Sequence, residues 1–179
     1  MITYVKLKNF KSFGEIEFDF RTIIKKPKKF VAIYGENGSG KTNFIESIRL
    51  LVINIMAYRN YYDIPYLIKN LTSDRKISPE SFKHLTKQIQ SSDFNEEICN
   101  SRMKECSEPT ELEYGFRYTG SNDREHDTVY KISFTNYIIS EELRCCTGKR
   151  NGIMFSINVD KAGNIDCKFN RNMKLFTMR

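Results

Sequence analysis

Hydrophobic and polar residues alternate along two stretches at the start of the chain, with a period of two that is typical of strands with one buried face. Ile16, Phe18 and Phe20 share one face of the second stretch and stand between acidic neighbours. The first stretch runs from Ile2 to Lys8, and a polar connection ending at Gly14 separates the two. The pattern therefore predicts that the chain opens with antiparallel strands.

The same alternation returns in the C-terminal half, beginning with Leu112, Tyr114, Phe116 and Tyr118. Further strand-like segments follow at short intervals, separated by residues that favour turns, such as Asp160 to Gly163. Their ranges are Tyr130 to Phe134, Tyr137 to Cys146, Ile153 to Val159 and a last short segment that ends at Phe169. Closely spaced strands of this kind predict an antiparallel meander over residues 111–179.

Between these two regions the pattern changes twice. Phe30 to Tyr34 is a short, continuously apolar run, which is typical of a strand covered on both faces. From Lys41 to Met56 apolar residues recur at helical spacing, and the pattern predicts a helix of about four turns. Residues 58–110 lose strong periodicity, apart from a predicted helix that begins at Pro79, and we interpret them as an insertion.

The connection between the predicted buried strand and this first helix contains a recognisable motif. Its residues are Gly35, Glu36, Asn37, Gly38, Ser39, Gly40, Lys41 and Thr42, which match G-x-x-x-x-G-K-[ST], the phosphate-binding loop. Glycines allow the backbone to turn tightly and to direct successive N–H groups at phosphate oxygens, and the helix N-terminus adds a favourable dipole. The agreement of strand, loop and helix favours a nucleotide-binding loop over a glycine-rich turn that matches by chance.

Two side chains of the loop have predicted roles in binding ATP and Mg²⁺. Lys41 is expected to bridge the β- and γ-phosphates of the nucleotide. Thr42 is expected to hold Mg²⁺ through its hydroxyl, because this metal needs hard oxygen ligands.

Hydrolysis needs, in addition, an acidic pair at the end of an apolar strand. The nearest imitation, Ile138 to Glu142, lacks an aspartate and lies among antiparallel strands, so we interpret its carboxylates as solvated. The sequence therefore predicts nucleotide binding and identifies no catalytic residue.

Composition and length limit the class of protein. With 179 residues, 40% hydrophobic and 28% charged, the chain has the proportions of one globular domain, which excludes a disordered or collagen-like protein. No apolar run approaches the roughly 18 residues of a membrane span, so we expect a soluble, cytoplasmic protein with no membrane partner. The odd number of cysteines, five, without ligand-like spacing predicts reduced structural thiols.

The net charge of +7 is concentrated at the two ends of the chain. Residues 1–30 contain eight Lys or Arg against three Asp or Glu, and residues 145–179 contain seven against two. Basic surfaces can bind DNA or RNA because Lys and Arg contacts to phosphate release counterions. We interpret the cluster from Lys25 to Lys29 as a solvated loop, and direct contact of this cluster with nucleic acid stays open as the alternative.

Several of these segments together resemble one family. They are Ile2 to Leu7, the N-F-K-S-F segment from Asn9 to Phe13, Phe30 to Tyr34, the loop from Gly35 to Asn43, and the helix with Glu46 and Ile48. The chain resembles the start of an SMC/RecF-like ABC ATPase, in the branch of bacterial AAA-type ATPases found in abortive-infection, Septu-like and OLD-type anti-phage systems. The resemblance is specific over residues 1–56 and loose beyond them.

The resemblance implies an α/β (α+β) fold, that of a P-loop NTPase head lobe similar to ABC ATPases. Residues 1–179 would form a single N-terminal lobe, with strands, loop and helix in 1–57, a helical or irregular insertion in 58–110 and an antiparallel β region in 111–179. It implies ATP and Mg²⁺ as ligands, and it adds Asn43 and Lys11 to the nucleotide site. A surface lysine on a turn is the other interpretation of Lys11, and both stay open.

The resemblance also implies partners. A head of this family pairs with a second head, and its closure is coupled to a nuclease or toxin effector. The family's signature motif, acidic Walker B pair and switch histidine belong to a C-terminal lobe, and nothing in this sequence matches them. We therefore expect the chain to be an N-terminal lobe, from a fragment, a split gene product or something longer.

Two alternatives stay open from the sequence. Small P-loop kinases have chains of this length, but their loop follows the first strand, whereas 34 residues precede it here. The other alternative is a non-catalytic module that binds nucleic acid through its basic ends and uses the nucleotide as a switch.

Overall fold

The computed structural model describes residues 1–61, 99–119, 124–136, 138–146, 152–160 and 165–169. Its main elements in these ranges are seven strands and a long helix. The strands are β1 (Ile2–Phe10), β2 (Phe13–Asp19), β3 (Thr110–Thr119), β4 (Glu125–Phe134), β5 (Ile138–Cys145), β6 (Gly152–Val159) and β7 (Ile165–Phe169), and the helix is α1 (Lys41–Tyr61).

The seven strands form one antiparallel sheet in the order β2-β1-β3-β4-β5-β6-β7. In β1, Leu7 lies opposite Ile16 of β2 on one side and Leu112 of β3 on the other. Since β2 and β3 both run antiparallel to β1, they run in the same direction, and the chain that joins them, which includes α1, is a crossover connection. The predicted opening strands are confirmed, and so is the predicted C-terminal meander as far as Phe169, the last described residue.

The core lies between one face of this sheet and α1. Leu112, Tyr114 and Ile132 are buried on the sheet, and Phe44 and Leu51 are buried on the helix. Alternating apolar residues form one buried face of the sheet because every second residue of a strand points to the same face. The Tyr114 hydroxyl also donates a hydrogen bond of 2.7 Å to the carbonyl of Ser47, which joins the helix to the sheet.

The opposite face of the sheet carries charges of alternating sign. Lys6 lies opposite Glu17 on β2 and Glu113 on β3, and its Nζ is 3.3 Å from a Glu17 oxygen. On β4, the Lys131 Nζ lies 2.7 Å from Glu113 Oε2. Lys131 also lies opposite Glu142 of β5. Opposite charges on neighbouring strands stabilise the pairing. The N-terminal lysines on this face are therefore paired with carboxylates.

The predicted buried strand from Phe30 to Tyr34 is wrong. These residues lie outside the seven strands, and the side chains of Phe30 and Tyr34 are 82% and 89% exposed. A strand covered on both faces needs neighbouring strands, and within the described ranges no strand pairs with this segment. The apolar pattern of Phe30 to Tyr34 indicated a buried strand, but no described part of the chain covers this segment.

Helix α1 begins where the pattern predicted and is longer than four turns, with 21 residues. Its sequence contains no glycine or proline that would end it earlier. The apolar positions divide between two sides, because Phe44 and Leu51 are buried whereas Ile45 and Val52 are 63% and 51% exposed. Within the described residues, no helix is both long and apolar enough to cross a membrane.

The predicted insertion over residues 58–110 begins within α1 and ends where β3 starts at Thr110. The helix predicted to begin at Pro79 lies outside the described residues. The predicted turn after Asp160 does too.

Candidate nucleotide-binding site

The glycine-rich loop leads directly into the N-terminus of α1. Gly38 and Gly40 have φ angles of 85° and 91°, in the left-handed region that favours glycine. At Gly35, a side chain would collide with Ser39, since a Cβ there would lie 2.5 Å from the Ser39 Oγ. The backbone conformation thus favours glycine at positions 38 and 40, and the close approach of the Ser39 side chain favours it at position 35.

The start of α1 suits an anion. The Phe44 N–H donates to the Gly40 carbonyl over 2.9 Å, so the helical hydrogen bonding starts at the last glycine of the loop. The first turn of the helix contains no acidic residue, and residues 35–39 are exposed. The positive end of the helix dipole therefore faces an accessible loop without a competing carboxylate on that turn.

Lys41 folds back over this loop. Its Nζ lies 2.6 Å from the carbonyl oxygens of both Gly35 and Glu36 and 3.4 Å from the Ser39 Oγ. The ammonium group thus holds both ends of the loop together, and a phosphate oxygen can take the place of these carbonyl acceptors. Thr42, the residue predicted to hold Mg²⁺, is exposed in the first turn of α1.

The turn that carries Lys11 lies against the loop. Lys11 stands between β1 and β2, and the hydroxyl of its neighbour Ser12 accepts a hydrogen bond of 2.7 Å from the Asn43 Nδ2. Phe13 contacts the loop itself, because a Cβ at Gly40 would lie 2.6 Å from the Phe13 ring. The structure therefore brings the predicted residues Lys11 and Asn43 into one region, together with Ser12 and Phe13.

Sequence reasoning did not assign Ser12 and Phe13 to the site. Both belong to the N-F-K-S-F segment that carried the resemblance, and this was the available signal. Their contact with residues 40–43 spans about 30 positions of sequence, with the Ser12–Asn43 pair 31 residues apart. The pattern of apolar and polar residues within one strand cannot predict a contact with a residue so far away in the sequence.

The prediction that the carboxylates of Ile138 to Glu142 are solvated is wrong for Glu141. Its side chain is 1% exposed and accepts a hydrogen bond of 2.6 Å from the Tyr130 hydroxyl. Glu141 lies opposite Ile132 in the pairing of β4 with β5, so the alternation of the strand directs it to the core face. The described ranges contain no group of three His, Cys, Asp or Glu side chains that could hold a metal ion.

Comparison with known proteins identifies the family. Residues 4–174 match the AAA domain family, and the chain therefore belongs to it. The chromosome partition protein Smc of Methanocaldococcus jannaschii is 48% identical over 44 residues, which cover 25% of this chain and 3% of that protein. No solved structure matches the chain. The family implies nucleotide binding, and the similarity to Smc is limited to those 44 residues.

Proposed function

We propose that the chain is the ATP-binding lobe of an SMC/RecF-like ATPase head and that it binds ATP with Mg²⁺. The observation that supports this most directly is the loop of residues 35–42, whose left-handed glycines and lysine lead into a helix N-terminus free of acidic residues. That arrangement combines backbone N–H donors, a helix dipole and an ammonium group, which is the combination that polyphosphates need.

The proposed binding step follows from the contacts of Lys41. The ammonium would leave the carbonyls of Gly35 and Glu36 and donate to the β- and γ-phosphates, because a charged phosphate oxygen is a stronger acceptor than a neutral carbonyl. Backbone N–H groups of the loop and of the first turn of α1 would donate hydrogen bonds to the remaining phosphate oxygens. The Thr42 hydroxyl would hold Mg²⁺ as one of its oxygen ligands.

A second ATPase head or a C-terminal lobe is the proposed partner for turnover. The apolar segment from Phe30 to Tyr34 directly precedes the loop and is exposed, and Ile45 and Val52 are exposed on α1. Exposed apolar surfaces of this kind are typical of protein–protein interfaces, and they support the proposal that another lobe or head packs on them. That lobe or head would also supply the acidic pair for hydrolysis, and we propose that the isolated chain binds ATP without turning it over.

The biological setting is proposed from the resemblance. In the branch that the sequence resembles, the ATPase regulates a nuclease or toxin effector in anti-phage defence or DNA maintenance, in the cytoplasm. The kinase alternative is less well supported, because the seven described strands are all antiparallel, whereas the doubly wound kinase core is parallel.

Calorimetric titration of ATP and Mg²⁺ into the wild type and the Lys41→Ala variant tests nucleotide binding. Removal of the ammonium is expected to weaken binding by about 2 kcal/mol, since a charge-assisted phosphate contact is lost. Lys26→Ala is the matched control, because Lys26 is an exposed lysine outside the loop. Equal affinity in Lys41→Ala and the wild type would show that the loop does not bind phosphate.

Turnover of ATP measured on the same samples tests the need for a partner. The expected result is binding by the wild type with no turnover. Turnover that disappears in Lys41→Ala would show that copies of this chain alone supply a complete active site, and would overturn the proposed need for a C-terminal lobe.

A further inference from the structure

We infer that the turn between β1 and β2 positions the phosphate-binding loop, with Ser12 and Phe13 as positioning residues. This inference rests on the proposed function, since the loop is taken to bind ATP. It adds a second element to the site, because it makes nucleotide affinity depend on residues that lie outside the loop and its helix.

The contacts join the turn to the loop at two points. The Phe13 ring lies against Gly40, leaving no room for a side chain at that position. The Ser12 Oγ accepts a hydrogen bond of 2.7 Å from the Asn43 Nδ2, in the first turn of α1. One contact is apolar and the other polar, so together they limit both the distance and the orientation of the loop relative to the turn.

The backbone of the turn, and of the end of β1 that leads into it, is held in a strained conformation. Lys11 and Asn9 have φ angles of 49° and 51°, which residues other than glycine adopt only at a cost. Backbone hydrogen bonds fix both residues: the Lys11 N–H donates to the Ser101 carbonyl over 2.9 Å, and the Met103 N–H donates to the Asn9 carbonyl over 3.0 Å. Strain of this kind persists where the surrounding structure fixes the backbone, and it is common at functional sites.

The Asn9 side chain and carbonyl strengthen the same attachment. The Asn9 Nδ2 donates to the Pro109 carbonyl over 3.0 Å, and the Thr110 hydroxyl donates to the Asn9 carbonyl over 2.8 Å. Asn9 and Thr110 are both buried. The turn is thus fixed to the start of β3, on the central part of the sheet.

Phe13 completes a path of contacts from the core to the loop. Its ring meets Phe18 edge to face with centroids 6.0 Å apart, and Phe18 in turn packs on Phe44 with centroids 4.5 Å apart. The loop residues 35–39 are exposed, so a rigid neighbour at Gly40 restricts a segment that has little packing of its own. Restricting the free loop to a conformation that can bind lowers the entropic cost of binding.

A double-mutant cycle tests the inference on the full chain. The variants are Ser12→Ala, Asn43→Ala and the double variant, with the dissociation constant of ATP and Mg²⁺ and the melting temperature measured for each. Each single variant is expected to weaken ATP binding about fivefold, and the double variant no more than either single one, because both remove the same hydrogen bond. Melting temperatures are expected to stay within about 2 °C of the wild type.

Two further variants separate positioning from a general structural effect. Ser12→Thr keeps the hydroxyl and is expected to retain wild-type affinity. Thr22→Ala removes a hydroxyl from another exposed turn and is expected to leave affinity unchanged.

Unchanged affinity in Ser12→Ala, additive effects in the cycle, or a loss of affinity that parallels a loss of melting temperature would each overturn the inference while the proposed function stands. Absence of ATP binding by the wild type would overturn the proposed function, and this inference with it.

Discussion

Glu113 lies on the charged face of the sheet and contacts both Tyr4 and Lys131. Its carboxylate accepts a hydrogen bond of 2.6 Å from the Tyr4 hydroxyl and lies 2.7 Å from the Lys131 Nζ. Partial burial acts to raise the pKa of Glu113, but the hydrogen bonds from Lys131 and Tyr4 outweigh it and leave the pKa below its ordinary value of 4.5. Burial and the bond to Glu113 raise the pKa of Tyr4 well above its usual range.

The lowered pKa of Glu113 predicts a pH dependence of stability. Its contribution to the free energy of unfolding is complete above pH 4.5, the ordinary value, and is lost as the pH falls through the lowered pKa. The melting temperature of the wild type is therefore expected to fall more steeply below pH 4.5 than that of Glu113→Gln.

Thermal melts of both proteins from about pH 6 to pH 3 check this expectation. Glu15→Gln serves as a control, because Glu15 is an exposed carboxylate on β2. Parallel melting curves for the wild type and Glu113→Gln across this range would contradict it.

At the scale of elements, the attachment of α1 to the sheet combines apolar packing with one buried hydrogen bond. The Tyr114 ring is fully buried on β3, and burial raises the pKa of its hydroxyl well above the usual range. The hydroxyl therefore stays protonated and donates to the carbonyl of Ser47. Since α1 follows the phosphate-binding loop, this bond also fixes the element on which the loop ends.

The Tyr114→Phe variant tests that bond. Loss of a buried hydroxyl that donates to a carbonyl is expected to lower the free energy of unfolding by about 1 kcal/mol, measured by urea titration. Tyr34→Phe is the control and is expected to have no effect, because Tyr34 is exposed and lies outside the helix and strands. Equal stability of Tyr114→Phe and the wild type would show that the hydroxyl contributes nothing to the attachment.

Prediction from sequence succeeded where local pattern determines the structure. The alternation at Ile16 and Phe18 and at Leu112 and Tyr114 identified strands, because a period of two is a property of the strand itself. The glycines of the loop predicted a tight turn for a similar reason, since two of them have φ angles that favour glycine.

Prediction failed where the environment of a residue depends on distant parts of the chain. The apolar run from Phe30 to Tyr34 is exposed because no described strand pairs with it, and its composition contains no information on its neighbours. Glu141 is buried because its position in β5 faces the core, where the Tyr130 hydroxyl binds it. The contact of Ser12 and Phe13 with the loop depends on how a turn and a helix pack, and pattern within either element does not determine it.

At the scale of the whole molecule, one group of exposed apolar residues lies in the chain just before the loop and on one side of α1. Phe30, Tyr34 and Ile45 are large apolar or aromatic residues with more than half of their surface accessible. Exposed apolar patches favour association, either with a partner or with further copies of the chain. The isolated chain is therefore expected to associate with itself as its concentration rises.

The double variant Phe30→Ser/Tyr34→Ser tests this expectation by sedimentation velocity. It is expected to associate less than the wild type and to keep a melting temperature within about 2 °C, because neither side chain contributes to the core. Ile23→Ser removes a fully exposed apolar side chain from a different turn and is expected to change association less. Undiminished association of the double variant would contradict a role for this segment.

The pairing of β1 with β3 closes a long loop of the chain, since contacting residues such as Lys8 and Glu111 are 103 positions apart. The entropic cost of closing such a loop grows only with the logarithm of its length, and a doubling costs only about 0.6 kcal/mol. The sheet therefore places a weak thermodynamic limit on how many residues separate α1 from β3. Proteins built on this plan can lengthen or shorten that connection during evolution while the phosphate-binding loop and its supporting strands stay the same.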